Sequence, residues 1–209
     1  MLNQRRLSNS HATLKVLESI NLDGAKSQRA LAKDAEIALG LANAYIKRLI
    51  RKGLVKVVQA PAHRYFYYIT PKGFREKARL TAEYLSDSLA MFRIARSEYD
   101  QLMSTCKLQG YRHIAMVGVS DLAEIAALSA RSSYIESLVV VDSTSNQPEV
   151  AGIPIVHDLA EAGPIDAVII TDILAPQARF EALTKLLPDT PILTPPMLRV
   201  DHTRHLQDI

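Results

Sequence analysis

The sequence predicts an α+β winged helix-turn-helix, followed by a long helix and a small α/β Rossmann-like domain. Three observations predict it. Residues Ser27 to Thr70 place a short capped helix, a basic helix and a tight hairpin in the order of a winged helix. From Lys72 to Lys107 the chain holds no proline and a single glycine, Gly73, so one helix can run through the whole stretch. Beyond Gly110, nearly continuous apolar runs alternate with helical segments, the pattern of a parallel sheet covered on both faces. The expected division is residues 1–71, 72–110 and 111–209.

In the first segment a helix is expected from about Ser8 to Ile20, with Val16, Leu17 and Ile20 packed inward and Leu14 filling one end. Ser27 starts SQRALAKDA, where its hydroxyl can cap free backbone N–H groups and Leu31 points to the core. A turn over Ala35 to Leu39 leads into GLANAYIKRLIRKG. Ala42, Ile46, Leu49 and Ile50 form its apolar stripe, while Asn43, Lys47 and Arg51 lie four apart on the other side, extended by Arg48 and Lys52. Gly53 ends the helix. Leu54 to Gln59 and RYFYYIT read as two strands around a turn at Pro61, Ala62 and His63. Alternate aromatics of the second strand are expected to cover the core.

A helix of this kind fits the major groove, its polar face toward base edges and its flanking cations toward phosphates. Asn43 and Lys47 are the expected base readers. Arg48, Arg51 and Lys52 are expected on the backbone, with Lys47 or Arg51 able to serve either purpose. Ser27, Gln28 and Arg29 begin the preceding helix, where a phosphate is favoured. His63 and Arg64 mark the wing tip, His63 as a phosphate contact or a plain turn residue.

Charge separates the halves. Residues 1–110 hold 19 Lys or Arg against 9 Asp or Glu; residues 111–209 hold 6 against 13. The front attracts a polyanion in a salt-dependent way and the rear repels it. No apolar run is long enough to span a membrane, and the start MLNQRRLSNS is too polar for a signal peptide. Cys106 is the only cysteine, which rules out an intrachain disulfide and a cysteine-based zinc cluster. A cytoplasmic protein is expected.

Thr70-Pro71 starts the long helix with a capping hydroxyl and a proline at its first position. Phe74, Ala78, Thr81, Leu85, Ser88, Phe92, Ala95, Tyr99 and Leu102 follow alternate spacings of four and three, a heptad stripe widened by Leu89 and Met91. Self-association into a homodimer is the expected use, with two basic helices presented to successive major grooves of a palindromic site. Packing against the rear domain is the alternative.

The rear segment reads as strands HIAMVGV, IESLVVVD, IPIV, DAVIITD and PILTP. Helices are expected over LAEIAALSA, briefly after His157 and Asp158, and over PQARFEALTKLL, and STSNQPEVAG is expected as a loop. The first turn, VGVSDLAEIA, is an eroded G-x-G-x-x-G: Gly118 stands at the first glycine, Ser120 at the second and Ala123 at the third. Asp142 ends the next strand, where an acidic residue can bind ribose. Ser120 and Asp121 cap or begin the helix there. Gly118, Ser120, Asp121 and Asp142 are therefore the candidate ligand contacts, for a nucleotide, a nucleotide-sugar or an acyl carrier cofactor; a structural domain without ligand is the other reading. No G-x-S-x-G elbow and no metal spacing accompanies His157, Asp158, Asp142 and Asp172, so no enzyme is expected.

The segments SQRALAKDAEIALGLANAYIKRLIRKGLV and YYITPKGFREKARLTAEYL resemble the MarR-like winged-helix regulators associated with exopolysaccharide gene clusters, over roughly residues 10–90. The resemblance implies a dimeric transcription regulator with Asn43, Lys47, Arg48 and Arg51 on its recognition helix and His63 and Arg64 in its wing. Residues 111–195, through VGVSDLAEIA, Asp142 and GIPIVHDL, resemble the Rossmann-like domain of sugar-nucleotide-modifying and sugar acyltransferase proteins. The combined plan is also similar to redox-sensing repressors that join a winged helix to an NAD domain, but their intact glycine loop is missing and NADH sensing is not transferred.

The expected function is a sequence-specific regulator of double-stranded DNA with a possible small-molecule effector in the rear domain. Two other classes are an enzyme acting on a sugar nucleotide or acyl donor that carries a DNA-binding domain, and a scaffold.

Overall fold

The computed structural model describes residues 2–60, 64–131 and 135–203, and side chains within 9–59, 65–131 and 135–203. The chain divides into two compact units, Met1–Leu89 and Ala90–Ile209.

The first unit opens with three helices, α1 (Leu2–Leu22), α2 (Gln28–Asp34) and α3 (Leu39–Arg51). The hairpin β1 (Val55–Ala60) and β2 (Arg64–Ile69) follows, antiparallel from Val55↔Ile69 to Ala60↔Arg64. α1 is longer at both ends than the sequence pattern indicates, but its inward residues Leu14, Val16, Leu17 and Ile20 are buried as expected. Ser27 caps α2, its Oγ accepting from Ala30 N at 3.2 Å. These helices close one core with Leu31, Ile46, Leu49, Leu54, Val55 and Tyr67. Tyr45 also belongs to it and donates from its hydroxyl to Asn9 Oδ1 at 2.6 Å. That inward aromatic is absent from the expected stripe, and Ile50 is only half-buried.

Two glycines set how closely the hairpin seats. A Cβ on Gly24 would lie 2.1 Å from the Tyr67 carbonyl oxygen, and Tyr67 N donates to Gly24 O at 2.8 Å. A Cβ on Gly73 would lie 2.0 Å from Leu54 O. Beside it Thr70 Oγ1 accepts from Gly73 N at 3.0 Å and donates to Gly53 O at 2.7 Å, so one hydroxyl ties the end of α3 to the start of the next helix.

That helix, α4 (Pro71–Gln109), has 39 residues and so measures about 58 Å at about 1.5 Å per residue. The boundary between the two units falls inside it. Leu80 joins the first core. Ala95, Tyr99, Met103 and Cys106 join the second. Part of the expected heptad stripe is therefore buried within the chain itself: Ala95 and Tyr99 face their own unit, and the Tyr99 hydroxyl donates to Ile170 O at 3.0 Å.

The second unit is a six-stranded sheet in the order β5-β6-β4-β3-β7-β8. Its strands are β3 (His113–Val117), β4 (Ser137–Val141), β5 (Glu149–Val150), β6 (Ile153–Val156), β7 (Ala167–Ile170) and β8 (Ile192–Leu193). All neighbours are parallel except β5 with β6. The parallel part, β6-β4-β3-β7-β8, has the doubly wound order that reverses between β3 and β7. Helix α5 (Asp121–Ala130) follows β3 and α6 (Pro176–Leu186) follows β7. Side chains alternate along β3: Ile114 and Met116 pack with α4 and α5, Ala115 and Val117 with Phe180 and Leu183 of α6.

Two expectations for this unit are corrected. Glu149–Val150, assigned to a loop, forms the edge strand β5 by a tight turn in which Ala151 and Gly152 have φ of 52° and 79°. No helix follows Asp158; its carboxylate accepts from Ala160 N at 2.9 Å and Glu161 N at 3.0 Å and holds a turn instead.

Candidate nucleic-acid interface

At about 100° per residue, the buried side of α3 is centred on Ala42, Tyr45, Ile46 and Leu49. The opposite arc holds Gly40, Ala44, Lys47, Arg48 and Arg51, and Leu41 stands at its edge beside Arg48; all six are exposed. Lys52 follows at the C-terminal end and is exposed too. Among the described residues none of Lys47, Arg48, Arg51 and Lys52 has an ion-pair partner within 4.0 Å. Four cations thus project from one short surface, where they favour a polyanion.

Asn43 is placed differently. It lies about 100° round the helix from Ala44, at the border of the buried side. It is half-buried, and its Oδ1 is buried with no hydrogen-bond partner among the described residues. The cause is the drift of an i, i+4 row by about 40° per step, so that Asn43 and Arg51 differ by about 80° although both belong to one row.

Ser27 and Arg29 are exposed at the start of α2. Gln28 has turned inward, its Nε2 donating to the Tyr67 hydroxyl at 3.0 Å, which braces α2 against the wing. On the hairpin, Tyr67 is buried, while Tyr65 and Tyr68 are 48% and 54% exposed. The aromatic alternation therefore covers the core only at the base of the wing. His63 lies outside the described residues, and so does the side chain of Arg64; the Arg64 backbone begins β2.

The rear candidate residues gather at the carboxyl ends of β3, β4 and β7, where strand order reverses. Gly118 follows β3 with φ +102°, and a Cβ there would meet Asp172 Cα at 2.7 Å. Ser120 Oγ donates to Thr171 O at 2.6 Å and accepts from Leu122 N at 3.1 Å, capping α5. Thr171 Oγ1 donates to Gly118 O at 2.5 Å. Asp142 accepts from Val119 N at 2.8 Å, Thr144 N at 2.8 Å and Thr144 Oγ1 at 2.7 Å. Asp172 likewise accepts from Leu174 N, Ala175 N and Arg179 Nε at 2.7, 3.1 and 3.0 Å. Asp121 is exposed in the first turn of α5. Burial works to raise the Asp142 carboxyl, but the Val119 and Thr144 hydrogen bonds and the Arg179 charge outweigh it and hold it below the usual aspartate range. In this arrangement the loop N–H that a phosphate would seek is already bonded to the protein's own carboxylate.

No group of three or more His, Cys, Asp or Glu residues able to hold a metal occurs among the described residues, and no described helix is long and apolar enough to cross a membrane.

The crystal structure of the PcaV transcriptional regulator from Streptomyces coelicolor aligns with 21% identity over 43% of this chain and 85% of that one, at a TM-score of 0.34. The same regulator in complex with its natural ligand aligns with 22% identity over 38% of this chain and 66% of that one, at 0.31. Scores this low do not establish a shared overall fold. No curated protein matches the chain, and none of the matches named concerns exopolysaccharide gene clusters, sugar nucleotides or acyl transfer. The family model described as winged helix-turn-helix DNA-binding matches residues 10–56, so the segment from α1 into β1 is similar to that family and has the helix order its description names.

Proposed function

We propose that the chain is a sequence-specific, dimeric transcriptional regulator that binds double-stranded DNA through α3. The observation that carries this reading is the exposed arc of α3, where Lys47, Arg48 and Arg51 project with no ion-pair partner among the described residues, from a segment similar to the winged helix-turn-helix family. Lys47 reaches base edges, Arg48, Arg51 and Lys52 hold phosphates, and Ser27, Arg29, His63 and Arg64 add contacts on either side. The resemblance to MarR-like regulators supports the same reading, which sets the protein in the cytoplasm with its DNA.

In this reading residues 1–71 bind DNA, 72–110 join two copies, and 111–209 are the regulatory part. The dimer uses the portion of the α4 stripe that the chain leaves open: Leu85, Leu89 and Phe92 are 53%, 56% and 42% exposed and lie on one face. An effector with a phosphate or carboxylate enters the rear unit at the turn after Gly118 by displacing Asp142 from Val119 N–H. The internal bonds of Ser120, Asp142 and Asp172 favour a second reading for this unit alone, a structural domain without ligand.

The deciding experiment measures affinity of the purified chain for genomic duplex fragments against random duplex at several salt concentrations. Specific fragments should bind at least tenfold more tightly, and Arg51→Ala should lower the log–log salt slope by about one. Equal affinity for all duplexes would refute the assignment.

A further inference from the structure

We propose that the front of α3 reads thymine methyl groups, with Ala44 and Leu41 as the specificity residues. This inference rests on the reading that α3 enters the major groove, and it adds what the helix recognises there.

The cations identify the side of α3 that faces DNA, because Lys47, Arg48 and Arg51 all belong to one arc. Ala44 lies near the middle of that arc, and Leu41, three residues earlier, lies about 60° round the helix from it, at the edge of the arc next to Arg48. Both are exposed, Leu41 by 48%. Residues near the start of a recognition helix are those that meet base edges. At that position this chain has no hydrogen-bonding side chain on the arc: Gly40, Leu41 and Ala44 precede Lys47. The one amide nearby, Asn43, has its Oδ1 turned into the protein.

A single exposed leucine is ordinary. An apolar leading turn on the one cationic face of the helix is a chemical statement about its partner. The apolar feature that a base pair shows in the major groove is the C5-methyl of thymine. Gly40 adds room: a Cβ there would have no atom within 4 Å, and its absence leaves the helix backbone bare where it would approach the groove. A short methyl at Ala44 and a longer isobutyl group at Leu41, separated by one turn, suit two thymines in adjacent base pairs or on opposite strands.

The test uses the full chain. Duplexes are enriched from a randomised pool, and the selected site is resynthesised with deoxyuridine for thymidine, one position at a time, which removes the methyl and keeps every hydrogen-bonding group. We expect thymine at two or more central positions, and about a fourfold loss of affinity for each contacted methyl removed, the worth of one buried methyl group. Leu41→Ala should erase the uracil effect at one position, and Ala44→Ser at another, with the circular dichroism melt checking that each variant is folded. Lys47→Ala should weaken thymine and uracil sites equally. An enriched site that binds equally well with uracil throughout overturns this inference and leaves DNA reading intact, as does a uracil effect unchanged in both variants. If no sequence is enriched at all, DNA reading itself fails and this inference with it.

Discussion

Asp142 gives the clearest link between one residue and a measurable property. Its carboxylate accepts three hydrogen bonds and is held below the usual aspartate range. A carboxyl with a lowered folded value stabilises the fold fully above the ordinary value of about 3.9 and loses that contribution as the pH falls toward the lowered one. Asp172 behaves the same way through Ala175 N–H, Arg179 and Leu174 N–H, against a burial effect that opposes them. Stability of the rear unit should therefore be flat near neutrality and fall below about pH 4, and Asp142→Asn should flatten part of that fall in an acid titration followed by circular dichroism. Ala151 is a second case. It holds φ at 52°, a left-handed value that alanine disfavours by about 1 kcal/mol. Ala151→Asn should raise stability by about 0.5–1 kcal/mol in urea denaturation. Conversely, Gly73→Ala should cost about 1–3 kcal/mol, because its Cβ would fall 2.0 Å from a backbone oxygen.

At the scale of elements, α4 shows how one helix can serve two surfaces. Its stripe runs from Phe74 to Leu102 with Thr81 and Ser88 among its members, and Ala95 and Tyr99 are consumed by the rear core while Leu85, Leu89 and Phe92 remain open. Leu85→Asp with Phe92→Asp should leave each chain folded and shift sedimentation to the monomer, with DNA affinity lowered at least tenfold for a two-fold site. The heptad was legible in the sequence, but its assignment to partners was not, since a spacing pattern records which face is apolar and says nothing about what covers it. The buried strands β3, β4 and β7 were readable because a strand covered on both faces must be apolar throughout. Two-residue β5 was not, because its existence depends on pairing with β6 across a turn whose residues, Ala-Gly, only partly match the usual turn signal. Capping at Ser27 was readable from one hydroxyl before an apolar period. The position of Asn43 required the exact pitch of α3: counting by fours groups it with Lys47 and Arg51, and turning by about 100° per residue separates it from their arc. At the rear, the sequence shows which residues reach the carboxyl ends of the inner strands. That Asp142 bonds the Val119 amide depends on how the two loops meet, which no local pattern encodes.

For the whole molecule, the hydrophobic cores fall into separate groups, one built from Leu14 to Leu80 and the others from Ala95 onward. Domains with their own cores unfold as their own units, and two-state behaviour is then not expected of the full chain. A urea titration followed by circular dichroism should show two transitions, with duplex DNA shifting only the front one upward. The charge division acts at this scale as well: raising salt should weaken DNA binding through the front half while easing the repulsion between duplex and the acidic rear half, so the observed slope understates the number of phosphates gripped.

Cys106 sits in the rear core at 1% exposure, and burial pushes its thiol up to about 11. As the sole thiol in the chain, it stays silent toward thiol-specific reagents while that half is closed and answers once it opens. Nature has thereby installed a one-sided tripwire: the pace of labelling in urea, with no foreign tag added, reports the opening of Ala90–Ile209 alone, and set beside the circular dichroism of the full chain it tells whether that unit gives way before or after the other.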